Sequence, residues 1–492
     1  MKLHHSLLLV ICLASGAHAA SLPPPVLKAL KQARIPISSV GIEVREINAR
    51  TPLISVNARR AMNPASTMKL LTTYAGLELL GPAYTWKTEA YLDGKLEQGV
   101  LQGDLVLKGY GNPKLTLEQF WLWLRELRSR GLREIRGNLV LDRSAFETLP
   151  HDSAAFDNEP IRPYNMGPDA LLLNFNAVRL RFIPDGEKIN VISEPELAGF
   201  KLDNRTIRSD DAANCSNWDE KISTQLNDDT MLVQGAFPAR CGECESYVCL
   251  LPHPQYMYAV FRALWQEMGG TLNGEMLEGA VPSSATLFAT HHSVPLSELI
   301  RDINKFSNNV MARQLFLSLG NSAGEPVLAG DAVPCDDPPT CLLDTEVGAL
   351  PPASIARSKR AIRGWLTKKE LRFPELVLEN GAGLSRRERI SPHNLALLLQ
   401  SAQRSPLSAE FVASLPIAGV DGTLKKRLNG SAFASHAHLK TGSLENVNAV
   451  AGYVQSNNGK QWIIVFLINH PNASAGQQAQ DALIEWLRLR ES

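Results

Sequence analysis

Asn63-Pro64-Ala65-Ser66-Thr67-Met68-Lys69-Leu70-Leu71-Thr72-Thr73-Tyr74-Ala75-Gly76-Leu77-Glu78-Leu79-Leu80-Gly81-Pro82 is a helix with both of its ends written into it. Asn63 suits the position that caps free amide groups, Pro64 fits the first helical turn, and Gly81-Pro82 cannot continue the helix. Between them Met68, Leu70, Leu71, Tyr74, Ala75, Leu77, Leu79 and Leu80 leave almost no polar side. A helix apolar all round belongs inside a domain. Ser66 and Lys69 stand three residues apart, so their side chains share a face and can hydrogen-bond. A lysine drawn into such an interior is pushed towards its neutral amine, which accepts a proton, and the serine beside it becomes a nucleophile.

Outward from this helix, Val40-Gly41-Ile42-Glu43-Val44 and Leu53-Ile54-Ser55-Val56 read as two adjacent strands. Three more strands close the chain, around Leu439 to Ser443, Ala449 to Val454 and Trp462 to Ile468, before a helix from Gln477 to Leu489. Helices over Leu296 to Asn304, Val310 to Leu319, Ser358 to Lys368 and Pro392 to Ala402 lie between. Two strands at the start and three at the end predict one sheet assembled from both termini, in an α/β domain.

The segment from about residue 90 to 285 has another texture, with short strands such as Leu105 to Leu107, Leu139 to Leu141, Val178 to Phe182 and Met231 to Val233 bounded by Gly, Pro, Asn and Asp. With 492 residues the chain exceeds what one core organises. The expected division is residues 20–90 with 285–492 as the main domain, and 91–284 as a mostly β insert of one or two small domains. Inside the insert, Phe120, Trp121, Trp123, Leu124 and Leu127 form an aromatic stripe at helical spacing. It could face a glycan, but a helix packed on a sheet is the simpler reading.

Two further short motifs bear on Ser66 and Lys69: Ser307-Asn308-Asn309 and Lys440-Thr441-Gly442. The first falls in a break between two helical stretches and can present Ser307 and Asn309 to a cleft. Ser307 could relay a proton between Lys69 or Lys440 and a leaving amine, while Asn309 could orient Lys69 and hold a substrate amide. A plain helix cap is the competing reading, since Ser and Asn both favour it. Lys440 supplies a positive neighbour for Lys69. The first-turn N–H beside Ser66 and the N–H of Ser443 at a strand edge are candidate donors for an oxyanion. A free carboxylate on the substrate needs a cation or several donors, for which Lys440, Thr441 and Arg386 are candidates. Gly442 leaves room for an extended peptide alongside the strand.

In this order, Ser66-Thr67-Met68-Lys69, Ser307-Asn308-Asn309 and Lys440-Thr441-Gly442 match the motif set of penicillin-binding proteins and serine β-lactamases. The chain resembles the low-molecular-mass class C penicillin-binding proteins, the D-alanyl-D-alanine carboxypeptidases and endopeptidases of serine peptidase family S13. The long gap between Lys69 and Ser307 fits that family's large insert and is too long for a class A β-lactamase. Similar too are Gly109-Tyr110-Gly111-Asn112-Pro113, Pro163-Tyr164-Asn165, Ala170 to Asn176, Asn380-Gly381-Ala382-Gly383-Leu384-Ser385-Arg386 and Ala418-Gly419-Val420-Asp421-Gly422-Thr423-Leu424.

The resemblance implies a penicillin-recognising transpeptidase or β-lactamase-like domain, with an antiparallel five-stranded sheet and helices, carrying two smaller inserted domains. It implies acylation of Ser66 by peptidoglycan stem peptides, hydrolysis by water, and covalent inhibition by β-lactam antibiotics. Arg386 would bind the substrate carboxylate or the side-chain end of the peptide. Glu445 departs from the neutral amide of some relatives.

Composition narrows the alternatives. Hydrophobic residues at 44% and charged residues at 20% suit a globular protein, and 50 basic residues balance 50 acidic ones. That balance gives no argument for nucleic acid or an anionic membrane as partner. Leu7 to Leu13 and the small residues Ala14 to Ala20 read as a secretory signal peptide over residues 1–19, too short for a permanent anchor, which places the mature protein in the periplasm without a transmembrane anchor. Removal of Cys12 leaves Cys215, Cys241, Cys244, Cys249, Cys335 and Cys341. An even number in an exported protein argues for disulfides, against a four-thiolate zinc site at Cys215, Cys241, Cys244 and Cys249. His436 and His438 read as solvent-facing strand residues, and no H-E-x-x-H spacing occurs, so no cofactor or metal is expected. A β-lactamase would need a Glu-x-x-Leu-Asn-type water activator, which is missing between the first two motifs. A wall-binding scaffold would have no need of the Ser-Lys pair. The sequence leaves a homodimer open.

Overall fold

The structure is a computed structural model that describes residues 22–148, 150–210, 215–321, 351–428 and 435–490. The expected signal peptide and the residues Cys335 and Cys341 lie outside the described residues.

A five-stranded antiparallel sheet forms the centre of the main body, in the order Ala437–Leu444, Val447–Gln455, Gln461–Asn469, Val40–Glu46, Ile54–Val56. Both ends of the chain build it, as the strand pattern predicts. The strand Gln461–Asn469 is apolar at nearly every position because both faces of the sheet are covered. Ile463, Val465 and Leu467 face one core with the helices Lys69–Leu80, Leu296–Lys305, Asn309–Ser318 and Pro392–Arg404. Ile464, Phe466 and Ile468 face a second core with Pro24–Gln32 and Gln477–Leu489. The two-residue repeat of a strand sorts the two sets of side chains. The helix Pro24–Gln32 escaped the sequence pattern, although proline in its first turn is favoured there.

The helix Lys69–Leu80 is buried from Lys69 to Leu77, as its unbroken apolar surface requires. Its start differs from expectation: Ala65–Met68 is a 3-10 turn, and the α-helix begins only at Lys69.

Between the two halves of the main sheet, a seven-stranded sheet runs from Lys87–Glu97 to Thr286–His292. Two three-stranded sheets follow within that span, one of Val178–Asp185, Lys188–Glu194 and Cys244–Val248, the other of Lys201–Ser209, Ile222–Asn227 and Thr230–Pro238. They share one core with the helices Leu117–Ser129 and His253–Glu267. Phe120, Trp123, Leu124 and Leu127 lie in that core, so most of the aromatic stripe is packing. Trp121 at its border carries Arg125 over its ring at 5.0 Å.

Cys215 and Cys241 form a disulfide across 26 positions, while Cys244 and Cys249 are free thiols. Closing a loop of that length restricts the unfolded chain by about 3.5 kcal/mol. The disulfide removes two of the four sulfurs from the zinc reading. Among the described residues no group of three or more His, Cys, Asp or Glu side chains is placed to hold a metal ion.

Candidate active site

The local fold at Ser66 is set by a tight turn. Asn63 Oδ1 accepts the Ala65 N–H at 2.9 Å, and Ala65 takes a φ of +45°. Asn63 is itself held, donating from Nδ2 to the Ser385 carbonyl at 2.8 Å and from its backbone N–H to Asn469 Oδ1 at 2.9 Å. Asn63 therefore closes the turn that aims Ser66 rather than capping an α-helix. Ser66 is half-buried.

Lys69 is buried with no exposed surface. Its Nζ lies 3.0 Å from Ser66 Oγ, 2.6 Å from Asn309 Oδ1, and in contact with the Ala382 carbonyl. A neutral amine has two N–H donors and one lone pair. The two obligate acceptors, Asn309 Oδ1 and the Ala382 oxygen, take the donors and leave the lone pair for the Ser66 hydroxyl, which can donate to it. Burial, then the charges of Lys440 and Arg313, hold the Lys69 ammonium well below the usual lysine range, with Glu388 pulling the other way.

Asn308, between the two motif residues, caps the helix Asn309–Ser318 by accepting the Met311 N–H at 3.0 Å. Capping thus falls to the middle residue and frees both neighbours for the cleft. Ser307 sits at φ +57°, and its Oγ accepts from Lys440 Nζ at 2.9 Å. Lys440 is fully buried, also donates to the Thr441 carbonyl at 2.8 Å, and is lowered by burial to about 7. Asn309 Nδ2 reaches back to the Tyr164 carbonyl at 3.5 Å, so a loop between Asp142 and Val178 borders the cleft.

The strand Ala437–Leu444 is the edge of the main sheet. Leu439 N–H bonds away from the sheet, to the Pro416 carbonyl at 2.9 Å, and the two-residue repeat turns the Ser443 N–H to the same open edge. Gly442 has a reason beyond substrate room. A Cβ there would lie 2.8 Å from Ser66 N and 2.9 Å from the Pro64 carbonyl, so only glycine lets this strand pass so close to the Ser66 turn. Thr441 Oγ1 lies 2.8 Å from Thr423 Oγ1, which adds a second hydroxyl to the carboxylate candidates. Lys305 and Asp421, paired at 2.7 Å, tie the Ser307 break to the Thr423 loop.

The structure therefore brings together Ser66, Lys69, Ser307, Asn309, Lys440, Thr441, Gly442 and Ser443. Arg386 makes none of the hydrogen bonds that join these residues. It is exposed and pairs with Glu445 at 3.2 Å, donates to the Phe156 carbonyl at 3.2 Å, and covers the Phe156 ring. It lines a cavity of about 430 Å³ with His151, Phe156, Arg313 and Glu379, which neither Ser66 nor Lys69 lines. Glu445, the departure from some relatives, is its partner. His438 corrects another expectation: it is half-buried, and burial lowers its imidazole.

Sequence reasoning missed the Ala382 and Tyr164 carbonyls, Arg313 and Glu388. Backbone acceptors leave no residue-type signal. Glu388, a lone acid in the basic run Arg386-Arg387-Glu388-Arg389, was the one visible hint.

Comparison with known proteins places these features in a family. The family model described as the D-Ala-D-Ala carboxypeptidase 3 (S13) family matches residues 25–333 and 342–489. The chain is 26% identical over 440 residues to the D-alanyl-D-alanine carboxypeptidase DacB of Haemophilus influenzae, covering 88% of this chain and 85% of that protein. It is 26% identical over 496 residues to the D-alanyl-D-alanine carboxypeptidase of Actinomadura sp. (strain R39), covering 97% and 86%. The crystal structure of penicillin binding protein 4 (dacB) from Haemophilus influenzae superposes with a TM-score of 0.75 at 23% identity, covering 94% of this chain and 99% of that one, and shares its fold.

Proposed function

This chain belongs to the D-Ala-D-Ala carboxypeptidase 3 (S13) family, and on that premise we propose that it is a serine-type D-alanyl-D-alanine carboxypeptidase. It hydrolyses peptidoglycan stem peptides through an acyl-enzyme on Ser66, and the same reaction opens D-alanyl cross-links as a DD-endopeptidase. The observation that carries this reading is the filling of Lys69 Nζ: two acceptors on one side and the Ser66 hydroxyl at 3.0 Å on the other.

Ser66 Oγ attacks the carbonyl of the penultimate D-alanine while its proton passes to the Lys69 lone pair. The oxyanion forms between the N–H groups of Ser66 and Ser443. The C–N bond then breaks, and the leaving amine takes the proton that Lys69 received, relayed through Lys440 and Ser307, which leaves Lys69 neutral again. Water, deprotonated by Lys69, attacks the ester and returns Ser66 with the shortened peptide. Lys440, Thr441 and Thr423 receive the substrate's terminal carboxylate. Arg386, 59 positions from its partner Glu445, acts further out on the peptide's side-chain end.

β-Lactams acylate the same serine. The catalytic body is built from the chain before about residue 87 and after about residue 292, so the insert is a little wider than the expected 91–284 because the strands Lys87–Glu97 and Thr286–His292 pair with each other in its sheet, and the enzyme works in the periplasm after loss of residues 1–19. No helix among the described residues is long and apolar enough to cross a membrane.

Mass spectrometry of purified muropeptides after incubation tests the reading. Loss of one D-alanine from pentapeptides, with cross-link cleavage, is the expected outcome. Unchanged muropeptides would contradict it.

A further inference from the structure

Glu388 is buried with no exposed surface, and one carboxylate oxygen, Oε1, accepts three successive backbone N–H groups: Glu379 at 2.9 Å, Asn380 at 3.0 Å and Gly381 at 3.0 Å. Its other oxygen is buried without a hydrogen-bond partner. Apolar burial of a carboxylate is costly, so an acid at this place calls for a reason. The loop it gathers supplies one. The next carbonyl after Gly381, that of Ala382, is the one that receives a Lys69 N–H. The Gly381 carbonyl accepts from Thr72 Oγ1 at 2.6 Å, one turn along the helix from Lys69. Gly383, at φ +79°, lies so close that a Cβ there would meet the Ala65 carbonyl at 2.0 Å and Ser66 Cα at 2.8 Å. The loop is thus wedged between Glu388 and the nucleophile turn.

We propose that Glu388 is a positioning residue for acylation, which holds residues 379–383 so that the Ala382 carbonyl fixes the Lys69 amine with its lone pair on Ser66. The inference rests on the acyl-enzyme reading above and deepens it. Glu388 touches neither substrate nor nucleophile; it acts through the loop. Burial holds its carboxyl above the usual carboxylate range, and the three N–H groups, which bind the ionised form, pull it only part of the way back. Its negative charge favours the ammonium form of Lys69, so it steadies the base at the cost of a smaller share of neutral amine at low pH.

The test compares wild type with Glu388→Asp, Glu388→Gln and Thr72→Val, measuring the second-order rate of acylation by a fluorescent penicillin as a function of pH, with thermal unfolding as a check. The shorter aspartate cannot reach all three N–H groups, and its rate at the plateau falls about 10- to 100-fold. Glutamine keeps an acceptor oxygen and loses less. In both, the acid limb of the profile moves to lower pH, because each change removes something that favours the Lys69 ammonium: the charge in one, the aimed carbonyl in the other. Thr72→Val releases the same loop from the opposite side and lowers the plateau even if the Glu388 variants fail to fold. Folded Glu388→Asp and Thr72→Val proteins with the wild-type rate and acid limb would overturn the proposal. Labelling of the wild type is measured first, so a failure of the acyl-enzyme reading shows there and not in the variants.

Discussion

At the scale of the residue, two lysines with no exposed surface share one site and must divide the work. Two ammonium groups so near each other in a dry interior repel strongly, so one is neutral while the other is charged. Lys69 carries the larger burden, since burial, then Lys440 and Arg313, depress it. Lys440, lowered by burial to about 7, keeps its proton below that pH. The sign of the pH dependence follows. Acylation rises with pH as Lys69 becomes neutral and falls above about pH 7 as Lys440 loses the charge that holds a carboxylate. A bound carboxylate favours the ammonium of Lys440, so the basic limb of kcat lies at higher pH than that of kcat/KM. Steady-state kinetics on a D-alanyl-D-alanine peptide checks this, and identical basic limbs would contradict it.

At the scale of the element, the site depends on how closely three backbone segments approach. The edge strand crosses the nucleophile turn at Gly442, and the Gly383 loop supports it from another side. Gly442→Ala places a methyl 2.8 Å from Ser66 N. An edge strand can move outward without unfolding its sheet, so the protein stays folded and loses about 1–3 kcal/mol of stability. Acylation falls about 100-fold, because the Ser443 N–H and the nucleophile part company. Stopped-flow acylation with a melting curve measures both, and a folded variant at the wild-type rate would refute the close approach.

The same scale explains what was readable beforehand. Ser66 and Lys69 were legible because helical spacing fixes their shared face, and Ser307, Asn309 and Lys440 because their motifs mark a helix break and a strand edge. The 3-10 start at Ala65–Met68 was not, since it follows from the hydrogen bond of Asn63 and the distant anchors Ser385 and Asn469. Nor was the Thr423 contact with Thr441, which needs the loop held by Lys305 and Asp421. Arg386 was legible as a residue but not in its partner, because an exposed arginine finds Glu445 only after the fold brings the two together.

At the scale of the whole molecule, the sheet is closed by strands from both ends of the chain, and the residues between its halves reach back to the cleft. The Tyr164 carbonyl on Asn309, the Met166 carbonyl on Arg313 and the Phe156 carbonyl on Arg386 are among the contacts through which that intervening part reaches the candidate site and its surroundings. Burial of both faces made the last two strands, Val447–Gln455 and Gln461–Asn469, readable as continuous apolar runs, whereas the intervening sheets, with mixed parallel and antiparallel pairing, could be recognised only by texture, and their strands Lys87–Glu97 and Val100–Gly109 run longer than the short strands expected. All of this architecture serves one event, the attack of a single hydroxyl on a carbonyl. Peptide mapping by mass spectrometry after incubation with benzylpenicillin tests that event most directly. One covalent adduct on the peptide containing Ser66, absent from a folded Ser66→Ala protein, is the expected result; an adduct that persists in Ser66→Ala, or none in the wild type, would contradict the account.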